Sequence, residues 1–364
     1  MTADGLSTAP DVVDVVALGE SMVTFVPSGP GRLAEVPSFE RGIGGAESNV
    51  ACVLAAAGHS VRWVSRVGAD GFGEYLVERI GSYGVDVSAV ERDPGRPTGI
   101  YFRTAGDRAS DAHEVAYYRA GSAASAMAVG NIDLDAVRAC RVLHLSGITA
   151  ALSDDCLALV RELTTPRARR PLVSFDVNHR TGLWRQDDGP RALLDLAGGA
   201  DVVFVGEDEA EEAWGVTGGP AAIRRVLPQP PVLVVKQGAR GATVFEHQPP
   251  AGTALPHGTG PAADAVTFVP SLRVTVVAPV GAGDAFAAGF LSATLRGLSV
   301  RDRLRHGHLV AAAALTVPGD LATPLAHDHA DRLAALEDAR WETLRLGPGW
   351  TEAVARAEEE VRTS

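Results

Sequence analysis

The segment Val276–Phe290 reads VVAPVGAGDAFAAGF and carries more structural information than any other part of this chain. A β-branched strand ends there, a Gly-Ala-Gly turn follows, and a helix of small residues begins. In such a turn the backbone N–H groups of Gly281, Ala282, Gly283 and Asp284 point towards one place, which favours an anion. An aspartate beside an anion site can take a proton from an attacking hydroxyl while the amides stabilise a transferring phosphoryl group.

Outward from this turn, strand-like and helix-like segments alternate along almost the whole chain. This alternation predicts an α/β fold with a doubly wound, mostly parallel sheet flanked by helices. The predicted strands are Val12–Leu18, Val61–Val67, Val142–Leu145, Leu172–Val177, Val202–Val205, Val232–Val235, Ala242–Phe245 and Leu272–Val277. The predicted helices are 46–57, 73–83, 153–164, 190–198, 207–215, 281–296, 301–316 and 328–339.

Residues 98–104 and 113–119 alternate between apolar and polar side chains, which predicts an exposed β-ribbon. We expect this ribbon and residues 30–41 to form a small β-sheet lid on one large domain, 12–340. Residues 1–11 are predicted to be a flexible N-terminus and 341–364 a C-terminal helix or tail. A mobile loop is predicted at 247–265, where Pro, Gly, Ala and Thr predominate.

The composition argues against several classes of protein. The net charge of −12 opposes general nucleic-acid binding. No apolar run has the character of a membrane span, and the first ten residues do not resemble a secretory signal. Three widely spaced cysteines, without a C-x-x-C motif, indicate free thiols in a reducing cytoplasm. Of 33 basic residues only Lys236 is a lysine, which draws attention to its position.

A second glycine-rich segment, GIGGAESNVA at 42–51, precedes the first predicted helix. Its glycines permit a close approach of a ligand to the backbone, and Asn49 can donate to that ligand. Together with Gly281–Asp284 it resembles the two signatures of the ribokinase-like (PfkB) carbohydrate kinases. VGADGFG at 67–73 and GVDV at 84–87 resemble the same family, so the resemblance spans about residues 14–340.

The resemblance implies an ATP-dependent kinase that uses Mg²⁺. It implies that Asp284 is the catalytic base and that Gly281, Ala282 and Gly283 form the anion hole. The turn KQGARG at 236–241 resembles the family's nucleotide-binding turn, in which Lys236, Gly238 and Gly241 would contact ATP beside Gly281 and Gly283. Glu209 matches the acidic residue that organises Mg²⁺ through water.

Two further segments resemble 2-keto-3-deoxygluconate kinases, which phosphorylate a sugar acid. They are YYRAGSAAS at 117–125 and FDVNHRTGLW at 175–184. Arginine binds carboxylates through two parallel hydrogen bonds, which suits such a substrate. The substrate contacts that this resemblance implies are Gly44, Gly45, Asn49, Tyr101, Tyr117, Arg119, Asn178 and Arg180. The product would be 2-keto-3-deoxy-6-phosphogluconate.

The sequence departs from the family pattern at two positions. Gly206 stands where the family has asparagine, and Ala278 stands where an aspartate commonly supports a monovalent-cation loop. A sugar-binding protein with impaired phosphoryl transfer therefore remains an alternative. A neutral-sugar kinase of the ribokinase or fructokinase type is the other alternative, and it predicts that Arg119 and Arg180 form internal ion pairs.

Two expectations concern surfaces. Exposed strand edges in the lid could pair between subunits, so we expect a homo-oligomer, with a dimer through the lid as one form. The histidines His306, His308, His327 and His329 are expected to lie on a solvated surface rather than to bind a metal.

Overall fold

The computed structural model describes residues 11–29, 31–104, 114–184, 188–247 and 264–351. Most of the predicted N-terminal segment, the 247–265 loop and the C-terminal tail lie outside these ranges. The strands are β1 Val13–Leu18, β2 Met22–Pro27, β3 Phe39–Gly44, β4 Val61–Gly68, β5 Val90–Asp93, β6 Ile100–Arg103, β7 Val115–Tyr118, β8 Cys140–Ser146, β9 Leu172–Asp176, β10 Val202–Gly206, β11 Val232–Lys236, β12 Gly241–His247, β13 Asp264–Pro270, β14 Arg273–Val274 and β15 Arg345–Leu346.

The helices are α1 Ala46–Ala56, α2 Gly71–Gly81, α3 Leu134–Arg138, α4 Gly147–Ala151, α5 Asp154–Thr164, α6 Gly189–Gly198, α7 Glu207–Trp214, α8 Pro220–Val226, α9 Ala282–Leu295, α10 Val300–Leu315, α11 His327–Ala334 and α12 Asp338–Thr343. Among the described residues, no helix combines the length and the apolar character that crossing a membrane requires.

Nine strands form the central sheet in the order β13-β12-β11-β10-β9-β8-β1-β4-β5. From β11 to β5 the neighbouring strands are parallel, and β12 and β13 are added antiparallel at one edge. Successive residues of β1 enter opposite hydrophobic clusters, Val15 and Ala17 on one face and Val16 and Leu18 on the other. Helices therefore cover both faces, and the predicted doubly wound, mostly parallel sheet is confirmed.

A separate four-stranded sheet has the order β3-β2-β6-β7. The predicted ribbon supplies β6 and β7, which pair antiparallel with Tyr101 opposite Tyr117. The hairpin of β2 and β3 completes the sheet, and it begins at Met22, eight residues before the predicted lid segment. Because β2 follows β1 closely, this small sheet lies next to the central sheet at the end where β1 finishes.

Two local expectations differ from the structure. The predicted strand Leu272–Val277 shortens to β14, Arg273–Val274, which pairs with β15. Further along, the Val277 N–H donates to the Leu315 carbonyl at the end of α10 instead of to a strand. The pairing of β14 with β15 and the burial of Trp341 carry the fold past residue 340, the predicted domain boundary.

The expectation that the histidines are solvated is wrong for three of them. His306, His308 and His329 are buried. His306 pairs with Asp331 at 3.1 Å, and His308 lies 3.2 Å from the Val269 carbonyl oxygen. The two imidazoles of α10 thus have a polar partner each, whereas His329 of α11 packs against the Trp350 ring and its Nδ1 has no hydrogen-bond partner among the described residues. The described residues contain no group of three or more His, Cys, Asp or Glu arranged to hold a metal.

The three cysteines are free and buried, as the sequence indicates. Burial raises the pKa of the Cys52 thiol to about 12, so it is protonated and unreactive at neutral pH.

Candidate active site

The turn before α9 is shaped by a residue that must be glycine. Gly281 has φ +72° and caps the helix, whose first backbone hydrogen bond runs from the Ala285 N–H to the Gly281 carbonyl. A Cβ atom at Gly281 would lie 2.6 Å from the Asp320 carbonyl oxygen. The amides of the first turn of α9 have no acceptor within the helix, so they can hold an anion.

Asp284 lies in this first turn and lines the central cavity. Its Oδ2 accepts a hydrogen bond from the Asn49 side-chain amide at 2.8 Å. Burial raises the pKa of Asp284 to about 7, and the carboxylates of Asp176 and Asp320 add to the rise, whereas the Asn49 hydrogen bond opposes it. A carboxylate with this pKa can accept a proton at neutral pH.

The only lysine of the chain lies beside the same turn. Lys236 ends β11, and its ammonium donates to both carboxylate oxygens of Asp176, at 3.0 and 3.1 Å. A Cβ atom at Gly283 would lie 3.5 Å from the Lys236 Nζ. Burial alone would lower the pKa of Lys236, but the carboxylates of Asp176 and Glu209 raise it above its ordinary value. The lysine is therefore charged and adjacent to the anion-binding amides.

Glu209 stands near this lysine, at the start of α7. Its Oε2 accepts the Gly206 N–H at 2.7 Å, so the carboxylate caps the helix that it belongs to. Burial raises its pKa, and the Lys236 charge opposes the rise. The second carboxylate oxygen lies 3.8 Å from Arg180 Nη1. One oxygen of Glu209 is thus engaged by the backbone, and the other faces a cation at the cavity.

These residues share one cavity of about 890 Å³. It brings together nearly all of the residues singled out from the sequence, namely Gly44, Gly45, Asn49, Tyr101, Tyr117, Arg119, Asn178, Arg180, Glu209, Lys236, Gly281, Ala282, Gly283 and Asp284. Gly238 and Gly241 do not line it. Both have positive φ, +57° and +142°, and they form the turn between β11 and β12.

The two arginines differ in their surroundings. Arg119 is almost buried, forms an ion pair with Glu20, and has its guanidinium 5.9 Å from the Tyr117 ring centroid. Glu20 also accepts from the Ser122 hydroxyl at 2.6 Å. Arg180 keeps 54% of its side chain exposed and donates to the neighbouring His179 carbonyl oxygen at 2.9 Å. Both arginines therefore have an internal carboxylate partner, as the neutral-sugar alternative predicts. The Arg119–Glu20 pair is buried, whereas Arg180 lies 3.8 Å from Glu209 and remains accessible to a ligand.

Asn178 holds its position through an uncommon backbone conformation. Its φ is +38°, a region that asparagine tolerates better than most residues. The side chain is buried and lines the cavity, and its Oδ1 has no hydrogen-bond partner among the described residues. Local strain directly after β9 thus places an unsatisfied polar atom at the cavity, as is common at functional sites.

Sequence reasoning missed three acidic residues of this cavity: Glu20, Asp176 and Asp320. Glu20 follows β1 closely and Asp176 ends β9, so both stand at the carboxyl edge of the parallel sheet, where ligands bind. A carboxylate directly after a buried strand was the available signal for these two. Asp320 follows α10 and has no comparable local signal.

The comparisons with known proteins agree with this geometry. The sequence profile described as "pfkB family carbohydrate kinase" matches residues 13–326. A protein of Thermoproteus tenax named 2-dehydro-3-deoxygluconokinase is 33% identical over 321 residues, which are 87% of this chain and 93% of that protein. A Bacillus subtilis protein of the same name is 35% identical over 314 residues, 85% of this chain and 91% of that protein.

Solved structures show the same fold. The crystal structure of a PfkB protein from Polaromonas has a TM-score of 0.73 and 35% identity, covering 89% of this chain and 100% of that one. A sugar kinase from Pyrococcus horikoshii in complex with ATP has a TM-score of 0.71 and 25% identity, covering 90% of this chain and 99% of that one. This chain belongs to the pfkB family of carbohydrate kinases and is a sugar kinase.

Proposed function

We propose that this kinase transfers the γ-phosphoryl group of ATP to the terminal hydroxyl of 2-keto-3-deoxygluconate. The hydroxyl oxygen bonds to the γ-phosphorus as the bond from that phosphorus to the β–γ bridging oxygen breaks, giving 2-keto-3-deoxy-6-phosphogluconate and ADP. The observation that carries the proposal is Asp284, a carboxylate with a pKa near 7 beside the anion-binding turn of α9. The names of the Thermoproteus and Bacillus relatives support the substrate, and the ATP complex of the Pyrococcus kinase supports the donor.

In the proposed mechanism Asp284 takes the proton of the attacking hydroxyl. Asn49 holds the carboxylate through its 2.8 Å hydrogen bond and so fixes the oxygen that accepts the proton. The first-turn amides of α9 and the Lys236 ammonium stabilise negative charge on the phosphoryl group. Tyr101 and Tyr117, from the small sheet, line the cavity, and in the proposed mechanism this sheet closes over the substrates and excludes water that would otherwise hydrolyse ATP.

Mg²⁺ would neutralise charge on the ATP phosphates when bound. The residues present fit an ion held through water, because the Glu209 carboxylate has one oxygen on the Gly206 amide and the other facing the cavity beside Arg180. Magnesium keeps several of its waters and needs only one or two protein carboxylates together with substrate phosphates. Gly206 offers no side chain for this task, so we assign the contact to Glu209. Gly238 and Gly241 would approach the nucleotide from the turn after Lys236.

At the sugar end we propose that Gly44, Gly45, Asn178, Arg119 and Arg180 contact the substrate, with an arginine on its carboxylate. The Glu20–Arg119 ion pair favours a second candidate, a neutral-sugar kinase, because an arginine with an internal counter-charge attracts a carboxylate less strongly. Arg180 favours the sugar acid, because its ion pair with Glu209 is longer, at 3.8 Å, and 54% of its side chain is exposed to a ligand. The choice therefore depends on which substrate is turned over.

The test is ATP consumption by the purified protein with Mg²⁺ and 2-keto-3-deoxygluconate, ribose, fructose or adenosine. We expect turnover of the keto acid and a loss of about a hundredfold or more in Asp284→Asn, since general-base catalysis contributes that much. Asp302→Asn is the matched control, because Asp302 also lies in the first turn of a helix but not at the cavity.

Other outcomes of this assay would contradict the proposal. Turnover of ribose or fructose alone would assign a neutral-sugar kinase. Binding of the keto acid without ATP turnover would make the protein a sugar-binding protein with impaired transfer, and Gly206 and Ala278 would be the positions to examine. Full activity in Asp284→Asn would remove the assigned base.

We also infer that two copies pair through the small sheet, since β3 and β7 lie at its edges and Tyr118 is 64% exposed. Sedimentation of wild type and Tyr118→Lys tests this, and a monomeric wild type would refute it. Free buried thiols accord with a cytoplasmic location, which we retain as a proposal.

A further inference from the structure

Arg103 lies behind the wall of the cavity rather than in it. It ends β6 of the small sheet, and only 10% of its side chain is exposed. Its Nη2 is 3.1 Å from Asp320 Oδ1 and donates to the Pro318 carbonyl oxygen at 3.3 Å. One guanidinium thus holds both the backbone and the acidic side chain of the loop that follows α10.

Asp320 is the residue that this loop presents to the cavity. Its Oδ2 is 3.5 Å from the Asn49 Nδ2, the same nitrogen that donates to Asp284 at 2.8 Å. Its carbonyl oxygen faces Gly281 so closely that a Cβ atom there would lie 2.6 Å away. A single buried residue therefore touches the catalytic turn and shares the amide that orients the proposed base.

We propose that Arg103 is a positioning residue for phosphoryl transfer, which acts through Asp320 to couple the small sheet to the turn before α9. The inference rests on the proposed function for the role of that turn. Without Arg103, the Asp320 carboxylate would be buried beside Asp284 with no counter-charge. Removing one partner of a buried ion pair is strongly unfavourable, so the loop would move or Asp320 would compete for the Asn49 amide.

The chain offers a matched control in the pair Arg66–Asp93. Its nitrogen–oxygen distance is also 3.1 Å, and its side chains are 17% and 14% exposed. It joins the neighbouring strands β4 and β5 and does not line the cavity. Replacing Arg66 therefore removes a comparable ion pair from a place that does not touch the turn.

The experiment measures kcat and both KM values for Arg103→Gln, Asp320→Asn, the double variant and Arg66→Gln. We expect kcat to fall at least tenfold in each single variant with the KM for ATP unchanged within twofold. We expect the double variant to be no slower than the slower single variant, because the two residues act as one unit. Arg103→Lys keeps the charge and should recover kcat to within about threefold of wild type.

A kcat of Arg103→Gln equal to that of wild type would overturn the inference. It would also be overturned if the fold-loss of kcat in the double variant equalled the product of the fold-losses in the two single variants. A fall of the same size in Arg66→Gln would also overturn it, since that would reflect general stability rather than positioning.

A second readout does not depend on turnover. Hydrogen exchange of the Ala285 amide, which bonds the Gly281 carbonyl, should quicken at least tenfold in Arg103→Gln and stay unchanged in Arg66→Gln. If wild type phosphorylates no sugar but exchange quickens, the proposed function fails and the coupling stands. If exchange is unchanged, the coupling is refuted whatever the activity.

Discussion

The pH dependence of the reaction gives a direct test of Asp284 as the base. Its pKa near 7 means that only about one-tenth of the molecules carry the ionised base at pH 6, and about nine-tenths at pH 8. We therefore expect kcat/KM to rise with pH along a limb centred near 7. A carboxylate with an ordinary pKa would place this limb near 4.

The Asn49→Ala variant moves this limb in a predictable direction. The Asn49 hydrogen bond is the main interaction that lowers the pKa of Asp284. A hydrogen bond to a charged group is worth about 1.5–3 kcal/mol, and one pKa unit corresponds to about 1.4 kcal/mol. Removing the amide should raise the pKa by about one to two units, so the limb should move to about pH 8–9.

The assay is kcat/KM for the keto acid from pH 5.5 to 9.5 at saturating ATP and Mg²⁺. ATP itself titrates in this range, but it does so equally with both proteins, so the displacement between the two curves isolates the enzyme group. Asn131→Ala is the control, because the Asn131 amide donates to the Ala126 carbonyl outside the cavity. The assignment of Asp284 as the base would be refuted if the rise of kcat/KM in wild type were centred below pH 5. It would also be refuted if this rise were centred at the same pH, or at a lower pH, in Asn49→Ala.

Four further predictions follow from single residues. Because the pKa of Asp284 is raised in the folded state, the wild-type protein should lose stability as the pH rises from about 4 to 7. Asp284→Asn avoids this loss, so urea unfolding above pH 7 should show it more stable than wild type by up to about 4 kcal/mol, with no difference below pH 4. Gly297→Ala should cost about 1–2 kcal/mol because its φ is +71°. Gly281→Ala has the same cost from its φ of +72° and should cost more in total, because its Cβ would also clash with the Asp320 carbonyl oxygen; only this variant should lose activity, at least tenfold. Arg180→Ala should raise the KM for the keto acid about tenfold or more and leave the KM for ATP unchanged. A raised KM for ATP with an unchanged KM for the keto acid would instead assign Arg180 to the phosphates of ATP. The buried Glu47 carboxyl accepts hydrogen bonds from the hydroxyl groups of Ser146 and Thr149, so Glu47→Ala should lower the stability measured by thermal unfolding by about 2–3 kcal/mol. Glu47→Gln should lower it clearly less, because the amide oxygen of the glutamine can still accept both hydrogen bonds.

The central sheet and the turn before α9 could be predicted because their signals are local. A buried parallel strand shows as a run of apolar residues, and Gly281 must be glycine for a reason that lies in its own φ. The hairpin of β2 and β3 was missed in part because Thr24 and Pro27 interrupt the apolar pattern of β2. Its strands are held by pairing with each other and with β6, and such partners are not visible in a local pattern.

The charges of the cavity could be predicted only in part, for a related reason. The motifs place Arg119 at the site, but its counter-charge Glu20 lies 99 residues earlier in the chain. The ion pair between Arg103 and Asp320 likewise joins the small sheet to a loop near the far end of the chain. Sequence motifs name the residues that meet a ligand, whereas the fold decides which of those residues already have a partner.

The charge balance of the cavity explains why the pKa of the proposed base matters so much. Acidic side chains outnumber basic ones along its wall, although both proposed substrates are anions. Burial raises the pKa values of Asp284, Asp320 and Glu209 and so favours their neutral forms, which reduces the negative charge that an anionic substrate meets in the cavity. The base must nevertheless be ionised to accept a proton from the sugar. With a pKa near 7, Asp284 is ionised in about half of the molecules at neutral pH, so it can accept the proton of the sugar hydroxyl. In the other half it is neutral and does not repel an anion bound at the neighbouring amides.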